Sequence, residues 1–135
     1  MSSAELALQG AIDFILRNDA GVAALVEVRV YDPVPDGAAF PYISFGPSQD
    51  VRQDADCFSG LEVFQQVDVW SRSRGFAECK RIEAAVIAAL HGVEATKDGL
   101  RFDIEHRTTN TFRDGDGLTA HGALSFRAEI YEFNE

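Results

Sequence analysis

The spacing of apolar residues predicts an amphipathic helix at the N-terminus. Apolar side chains recur every three or four residues from Leu8 through Ala11 to Ile15, which places them on one face of a helix. Ser2, followed three residues later by Glu5, fits a capping box at the start of that helix. The chain therefore begins with a helix that packs on one side only.

Breaker residues divide the next part of the chain into short segments. Asp19 is placed to cap a brief second helix through residues 23–25. A dense cluster of Pro, Asp and Gly at residues 32–37 predicts a loop between two β-prone stretches, residues 28–31 and 40–45. Gly46 and Pro47 are expected to end the second of these strands.

An acidic stretch follows at residues 48–56. It contains Asp50, Asp54 and Asp56 with a single arginine, and its apolar residues show no period. Such a stretch is typical of an exposed loop, and an exposed loop gives carboxylates neither the desolvation nor the fixed geometry that general acid–base catalysis needs. We therefore interpret it as a solvated acidic loop.

The middle of the chain predicts one long strand and one long helix. Residues 58–70 alternate with bulky side chains on both faces, which is typical of a central strand. Apolar residues then recur at helical spacing over residues 76–90, with Glu83 expected off the apolar face, and Gly92 is a natural stop.

The C-terminal part predicts a long hairpin formed by residues 100–112 and 118–133, with a turn at residues 114–117. With Arg113 opposite Leu118, every apolar residue of one strand would face a charge on the other, so we expect a register shifted by one. The shifted register places His106 on the apolar face of the hairpin, together with Phe102, Ile104, Phe112, Leu124, Phe126 and Ile130. The other face is then polar and carries Asp103, Glu105, Arg107, Thr109, Thr111 and Arg113 beside Ser125, Arg127, Glu129 and Tyr131.

These elements predict one α+β domain over residues 1–135, with two main helices on one face of a largely antiparallel sheet. A length of 135 residues with 46% hydrophobic content suits a single core. The net charge of −10 argues against a protein that grips nucleic acid, because such binding rests on clustered Lys and Arg. We find neither an apolar run long enough for a membrane helix nor a secretory signal, so we expect a cytosolic protein without membrane contact.

Motifs for catalysis and cofactor binding are absent from the sequence. There is no glycine-rich phosphate loop and no Gly-x-Ser-x-Gly elbow, and the three histidines are far apart. Cys57 and Cys79 lack the spacing of a zinc or redox pair, so we expect reduced structural thiols. Asp114 and Asp116 lack the closing glutamate of a calcium loop. We therefore expect no enzyme activity, no cofactor and no metal.

One distinctive segment remains, Val69-Trp70-Ser71-Arg72-Ser73-Arg74-Gly75, between the long strand and the long helix. In a purely structural interpretation Trp70 packs under the helix, while Arg72 and Arg74 are solvated or neutralise nearby acids. In a functional interpretation the two arginines contact a partner or a phosphate. The sequence leaves both open.

At this segment the chain resembles the phage tail-terminator family, also called tail-completion or head-tail joining proteins, found in long-tailed phages and gene transfer agents. The resemblance spans nearly the whole chain. It rests on Glu5-Leu6-Ala7-Leu8-Gln9, on Arg29-Val30-Tyr31-Asp32 followed by Phe40-Pro41-Tyr42-Ile43, on the Trp70 segment, and on Phe112-Arg113-Asp114-Gly115-Asp116-Gly117 followed by His121-Gly122 and Phe126-Arg127.

The resemblance implies a homohexameric ring that caps the head-proximal end of the tail tube and meets the head-side stopper protein. DNA would pass through the lumen without sequence-specific binding, and six copies at −10 each would carry −60, which repels DNA. The protein would assemble in the host cytoplasm and remain in the particle. The functional interpretation of the distinctive segment makes Trp70, Arg72 and Arg74 candidate assembly residues. Long exposed loops are the usual contact sites, so the acidic loop and the hairpin tip add the candidates Asp50, Asp54, Asp56, Arg113, Asp114 and Asp116.

Overall fold

A computed structural model describes residues 3–55 and 58–132 of the chain. Its described part contains α1 (Ala4–Asn18), α2 (Ala20–Val26), β1 (Val30–Tyr31), β2 (Tyr42–Ala55), β3 (Phe58–Ser71), α3 (Ala77–Leu90), β4 (Val93–Lys97), β5 (Leu100–Arg113) and β6 (Ala120–Glu132). The strands form one sheet in the order β1-β2-β3-β6-β5-β4, antiparallel except for the β1–β2 pair. The predicted α+β class is confirmed. None of the helices in this described part is long and apolar enough to span a membrane.

Both N-terminal helices begin at a side-chain cap. The cap of α1 is Ser3, whose Oγ accepts a hydrogen bond from the Leu6 N–H at 3.3 Å, so the prediction of Ser2 as cap is wrong by one residue. Ser2 itself lies outside the described residues. Asp19 caps α2 as predicted, and its carboxylate accepts from the Val22 N–H at 3.0 Å. These bonds satisfy backbone donors that have no partner within their helix.

Alternate side chains of the central strand β3 point to opposite faces of the sheet. Val63, Val67 and Val69 are fully buried against the helices, and we call this side of the sheet the helix face. Phe64, Gln66, Asp68 and Trp70 alternate with them and point to the opposite side, which we call the open face. The prediction of a central, two-sided strand is confirmed, because β3 pairs with β2 on one edge and with β6 on the other.

Strand β2 is longer than the sequence indicates. Gly46 and Pro47 do not end it; they lie in a bulge, where the pairing with β3 shifts between Phe45 and Ser48, and the strand continues to Ala55. A bulge tolerates proline because the ladder does not need its missing N–H. The prediction of an acidic loop over residues 48–56 is therefore wrong for residues 48–55, and Asp56 lies outside the described residues. Residues 47–52 are exposed, which explains why the sequence of this part of β2 shows no regular spacing of apolar residues.

The C-terminal hairpin follows the shifted register over half of its length. Phe102 pairs with Ile130 and His106 with Phe126, as predicted, and the His106 ring contacts the edge of the Phe126 ring at 5.5 Å. A bulge at Arg107 then shifts the pairing by one more residue. Beyond it the prediction is wrong: Phe112 lies on the open face opposite His121, while the helix face receives Thr109, Thr111 and Arg113.

The bulge supplies a polar partner for a buried carboxylate. Glu83 of α3 was expected off the apolar face but is only 5% exposed. It accepts hydrogen bonds from the Thr111 hydroxyl at 2.7 Å and from the Cys79 thiol at 3.5 Å. Cys79 is a free, buried thiol, as predicted, whereas Cys57 lies outside the described residues. Burial and the neighbouring Glu83 raise the pKa of the Cys79 thiol to about 12, so it stays protonated at neutral pH. Thr111 thus offsets the cost of burying Glu83.

Gly122 makes room for this carboxylate, and we expect Gly122→Ala to destabilise the fold. An added Cβ would overlap the Glu83 carboxylate, whose hydrogen bonds hold it in place. Overpacking of this kind costs about 1–3 kcal/mol. Urea unfolding should show that loss in Gly122→Ala, whereas Gly115→Ala, where a Cβ meets open space, should remain within about 0.5 kcal/mol of the parent. Equal stabilities for the two variants would contradict the role given to Glu83.

Candidate assembly surface

The structure brings together six of the nine candidate residues at one end of the sheet. Trp70 and Arg72 end β3 and begin the connection to α3, while Arg113, Asp114 and Asp116 lie at the tip of the hairpin. One Arg72 Nη atom lies 3.5 Å from the Asp116 carboxylate, which joins the two groups. The exposed Arg74 follows in the same connection. We call this end of the sheet the Trp70 end.

The acidic candidates lie elsewhere. Asp50 pairs with Val63 on β3, seven residues before Trp70, a separation of about 23 Å at 3.3 Å per residue. Asp54 pairs with Ser59, still farther from the Trp70 end, and Asp56 is not among the described residues. The eight candidates among the described residues therefore form two groups rather than one site.

Trp70 lies on the open face, so the interpretation that it packs under the helix is wrong. Its indole stacks on the His121 imidazole, with ring centroids 3.9 Å apart and an interplanar angle of 18°. The indole N–H donates to the Ser44 hydroxyl at 2.9 Å, and the Tyr42 ring lies on its other flank at 6.4 Å. The strand pairing places these side chains beside one another, because Trp70 is opposite both His121 and Tyr42.

Beneath this aromatic group lies a buried hydrogen bond between Asp68 and His121 that was not among the sequence predictions. Asp68 is 5% exposed, and its carboxylate lies 2.7 Å from His121 Nε2 and accepts from the Gln66 amide at 2.8 Å. Gly46 leaves space for it, since a Cβ there would lie 2.6 Å from the Asp68 carboxylate. The only signal in the sequence is the polar alternation of Gln66 and Asp68 in a central strand. The pair fixes the imidazole on which Trp70 stacks.

Arg72 connects three parts of the Trp70 end. Its guanidinium lies over the Phe40 ring at 4.4 Å, and its Nε donates to the Thr119 hydroxyl at 3.1 Å. The contact with Asp116 completes the set. Arg113 similarly lies over the Phe76 ring at 4.6 Å. Arg72 thus holds the connection after β3 against the hairpin tip, whereas Arg74 remains exposed and available to a partner.

Asp116 organises the hairpin tip, which spans residues 114–119. Its carboxylate accepts from the backbone N–H groups of Leu118 and Thr119 at 2.8 and 2.9 Å and from the Thr119 hydroxyl at 2.7 Å. These bonds, the Thr119 hydroxyl first, lower the pKa of Asp116 to about 2. No group of three or more potential metal ligands occurs in residues 3–55 and 58–132. The carboxylate of Asp116 serves the turn.

A second charged cluster, unforeseen in the sequence, occupies the centre of the open face. The Arg127 guanidinium contacts Glu62 through Nε, Glu105 at 3.3 Å and Glu129 at 2.7 Å. Hydrogen bonds from the Tyr131 hydroxyl and from Arg127 lower the pKa of Glu129, and the Glu129 bond raises the pKa of Arg127. These partners come from three strands, so only the strand register reveals the cluster. Three carboxylates around one arginine leave this region acidic.

Comparisons with known proteins place the chain among phage-tail proteins. A family model described as "Tail completion protein gp17" matches residues 11–131. A chain from the virion of a native gene transfer agent particle is 31% identical, with a TM-score of 0.86 over 96% of this chain and 98% of that chain. The gp17 protein of bacteriophage SPP1 shares the fold, with 23% identity and a TM-score of 0.65 over 98% and 92% of the two chains. No curated protein sequence matches this chain.

We expect the Asp116 carboxyl to titrate with a midpoint of about 2 in NMR, well below its ordinary 3.8. Because the folded pKa lies below the unfolded one, the turn adds stability at neutral pH and loses it as the pH falls through the folded pKa. Thr119→Val removes the hydroxyl donor and should move the midpoint up toward 3.8. A parent midpoint near 3.8 would show that these hydrogen bonds do not hold in solution.

Proposed function

Because this chain belongs to the tail completion protein gp17 family, we propose that it forms a ring that caps the head-proximal end of a phage-like tail tube. The ring ends tube growth and joins the tail to the head-side connector, and DNA passes through its lumen. The protein assembles in the host cytoplasm and stays at the head-tail junction of the phage or gene transfer agent particle. A structural role of this kind needs no catalytic site.

One observation carries this proposal: the family match extends over residues 11–131, nearly the whole chain. The 31% identical chain supports it, because that chain is part of a gene transfer agent virion and aligns over 96% of this one. The alignment covers nearly the full length of both chains, so the two proteins are similar throughout and not only in one motif. This similarity argues for a shared role in a particle.

The open face has the charge that a DNA conduit requires. Its β3, β5 and β6 positions carry the carboxylates Glu62, Asp68, Asp103, Glu105 and Glu129. The arginines that reach these acids, Arg101, Arg107 and Arg127, are engaged in ion pairs with them. A surface with excess carboxylate and engaged arginines offers phosphate few counterions to exchange, so DNA slides past it instead of binding. We propose that this face lines the lumen.

The Trp70 end is the proposed contact with a neighbouring virion protein. It combines an aromatic group with exposed cationic and acidic side chains, and aromatic residues with arginine are enriched where protein interfaces have their strongest contacts. Trp70 and Arg113 lie at the ends of strands, and Arg74 and Asp114 lie in the short connections that follow those strands. A partner would therefore meet a largely preformed surface.

Mixing the purified protein with its tail tube protein tests the proposal. Negative-stain images of the mixture should show caps at one tube end and shortened tubes. Light scattering of the protein alone should detect particles of about six times 14.8 kDa. A pull-down against head-side proteins separates the alternative, a stopper or minor tail component, from a terminator. A protein that neither caps tubes nor changes their length would overturn the terminator role.

We expect Arg74→Glu to weaken tube capping about tenfold, which corresponds to 1.4 kcal/mol of binding free energy. Arg74 is exposed, so its reversal should leave the thermal stability unchanged. Arg72→Glu should weaken capping and also lower stability, because Arg72 contacts Phe40, Thr119 and Asp116. Arg81→Glu, an equal charge change at an exposed position of α3, is the matched control. Capping by Arg74→Glu equal to that control would remove Arg74 from the surface.

A further inference from the structure

Two strands of the sheet have edges that are only half covered. In the described part of the chain, β1 pairs with β2 at Ile43 and Ser44 alone, so the outer edge of β2 beyond its bulge has no partner strand. At the other lateral edge of the sheet, β4 pairs with β5 from Leu100 to Ile104. No described strand pairs with the outer edge of β5 beyond the Arg107 bulge. Long uncovered edges present unpaired backbone groups that can accept another strand.

The hydrogen-bond pattern identifies the outward backbone groups of β2. The Ile43 N–H donates to the Arg29 carbonyl at 2.9 Å, away from β3, so its partner Val69 bonds to β6. Bonding alternates along β3, whose register with β6 is unbroken from Leu61 to Ser71, so the odd-numbered residues of β3 direct their N–H and C=O groups toward the β6 side. Their partners on β2 therefore direct N–H and C=O outward: Ser48, Asp50, Arg52 and Asp54.

The same reasoning identifies the outward groups of β5. The Gly92 N–H donates to the Ile104 carbonyl at 2.8 Å, and the His106 N–H donates outward to His91 Nδ1 at 3.0 Å. The β6 residues that bond to β5 are the odd-numbered ones, and beyond the bulge they pair with Thr108, Asn110 and Phe112. The remaining residues of this segment, Thr109, Thr111 and Arg113, therefore direct their backbone N–H and C=O groups outward.

These two edges suit a head-to-tail contact between copies. The outer edges of β2 and β5 lie toward opposite ends of the strand order. Three antiparallel pairings separate β2 from β5, so the two strands run in opposite directions. Copies related by rotation about a ring axis would therefore bring β2 of one against β5 of the next in the antiparallel sense. A heterologous contact of this kind closes into a ring when the rotation closes.

Side-chain chemistry selects one register. On the helix face the outward residues Asp50 and Arg113 have opposite charges. On the open face the neighbouring residues Val51 and Phe112 are apolar yet 37% and 43% exposed. A single antiparallel register sets Asp50 opposite Arg113 and Val51 opposite Phe112 together. A shift of two residues in one direction instead sets Arg52 against Arg113, and like charges directly opposite are destabilising.

We propose that β2 of one copy pairs with β5 of the next in this register, so that the sheets of neighbouring copies become continuous. The inference rests on the proposed ring and names the contact that builds it. Asp50, Arg52 and Asp54 would each face an outward residue of the adjacent β5. Each of these three pairs exchanges two backbone hydrogen bonds, about six per junction. Ring formation would remove both uncovered edges, as closure does in a barrel.

Disulfide trapping tests the register. In a Cys57→Ser background, chains carrying Val51→Cys are mixed with chains carrying Phe112→Cys and oxidised gently during ring assembly. Directly opposite residues in a non-hydrogen-bonded pair have Cα atoms about 4.5 Å apart, within the range of a disulfide. We expect a covalent dimer of the two chains, and a ladder up to ring size from a chain carrying both substitutions. Gln49→Cys with Phe112→Cys, shifted by two residues, is the matched control and should cross-link at least about fivefold less.

Charge reversal tests the same pair without cysteines. Asp50→Arg and Arg113→Asp should each raise the protein concentration for half-maximal ring formation about tenfold, because each sets like charges opposite one another. The double variant restores opposite charges and should assemble within about twofold of the parent. Asp50 is exposed, so Asp50→Arg should leave monomer stability unchanged. Arg113→Asp and the double variant both lose the contact of Arg113 with the Phe76 ring, so they should share the same small loss of monomer stability.

The outcomes separate this contact from the function on which it rests. Rings that cap tubes but give no Val51–Phe112 cross-link, or that cross-link equally in the control register, would overturn the strand pairing and leave the terminator role standing. A chain that stays monomeric with and without tube protein would overturn the ring and the pairing together. Selective cross-linking with charge rescue would support both.

Discussion

The unbroken pairing of β3 with β6 is the constraint on which the rest of the structure depends. Eleven successive residue pairs, from Leu61–Ile130 to Ser71–Ala120, keep one register. Because side chains alternate across a strand, this register alone decides which residues of both strands face the helices. The two bulges lie in the flanking strands β2 and β5, where each changes the facing of an outer segment without disturbing the centre. Buried Gln65 even serves a bulge, since its amide donates to the Gly46 carbonyl at 3.1 Å.

The two faces of the sheet handle buried polarity in different ways. On the helix face the buried carboxylate of Glu83 is held by Thr111 and Cys79 beside the apolar core. On the open face polar and charged groups are paired with one another, in the ion pairs of the Arg127 cluster and in the hydrogen bond between Asp68 and His121. Pairing keeps these groups satisfied even where neighbouring side chains cover them. It also leaves the face with an excess of carboxylates over arginines.

Local pattern predicted the elements that depend on local physics. The helical spacing of apolar residues predicted α3, and the alternation of bulky residues on both faces predicted that β3 is central. Asp19 predicted the start of α2. What the pattern did not reveal depends on contacts between distant residues. The extension of β2 past Gly46 and Pro47 needs β3 beside it, and the facing of Phe112 depends on a bulge at Arg107 that no turn residue marks. The Asp68–His121 and Arg127 clusters join strands far apart in the chain, so no spacing rule could find them. The family itself was recognisable from ordered short motifs.

The sheet order also has a kinetic meaning. The β2–β3 and β5–β6 hairpins each bring together residues close in sequence, and the β3–β6 pairing then joins them across separations of about 50 to 70 residues. Local contacts form quickly, whereas distant ones carry a larger loop-closure cost, so docking of the two hairpins is the expected slow step of folding. Until that step is complete, both edges of each hairpin are uncovered. Rapid joining of the two halves therefore shortens the time in which one copy can pair with the wrong part of another.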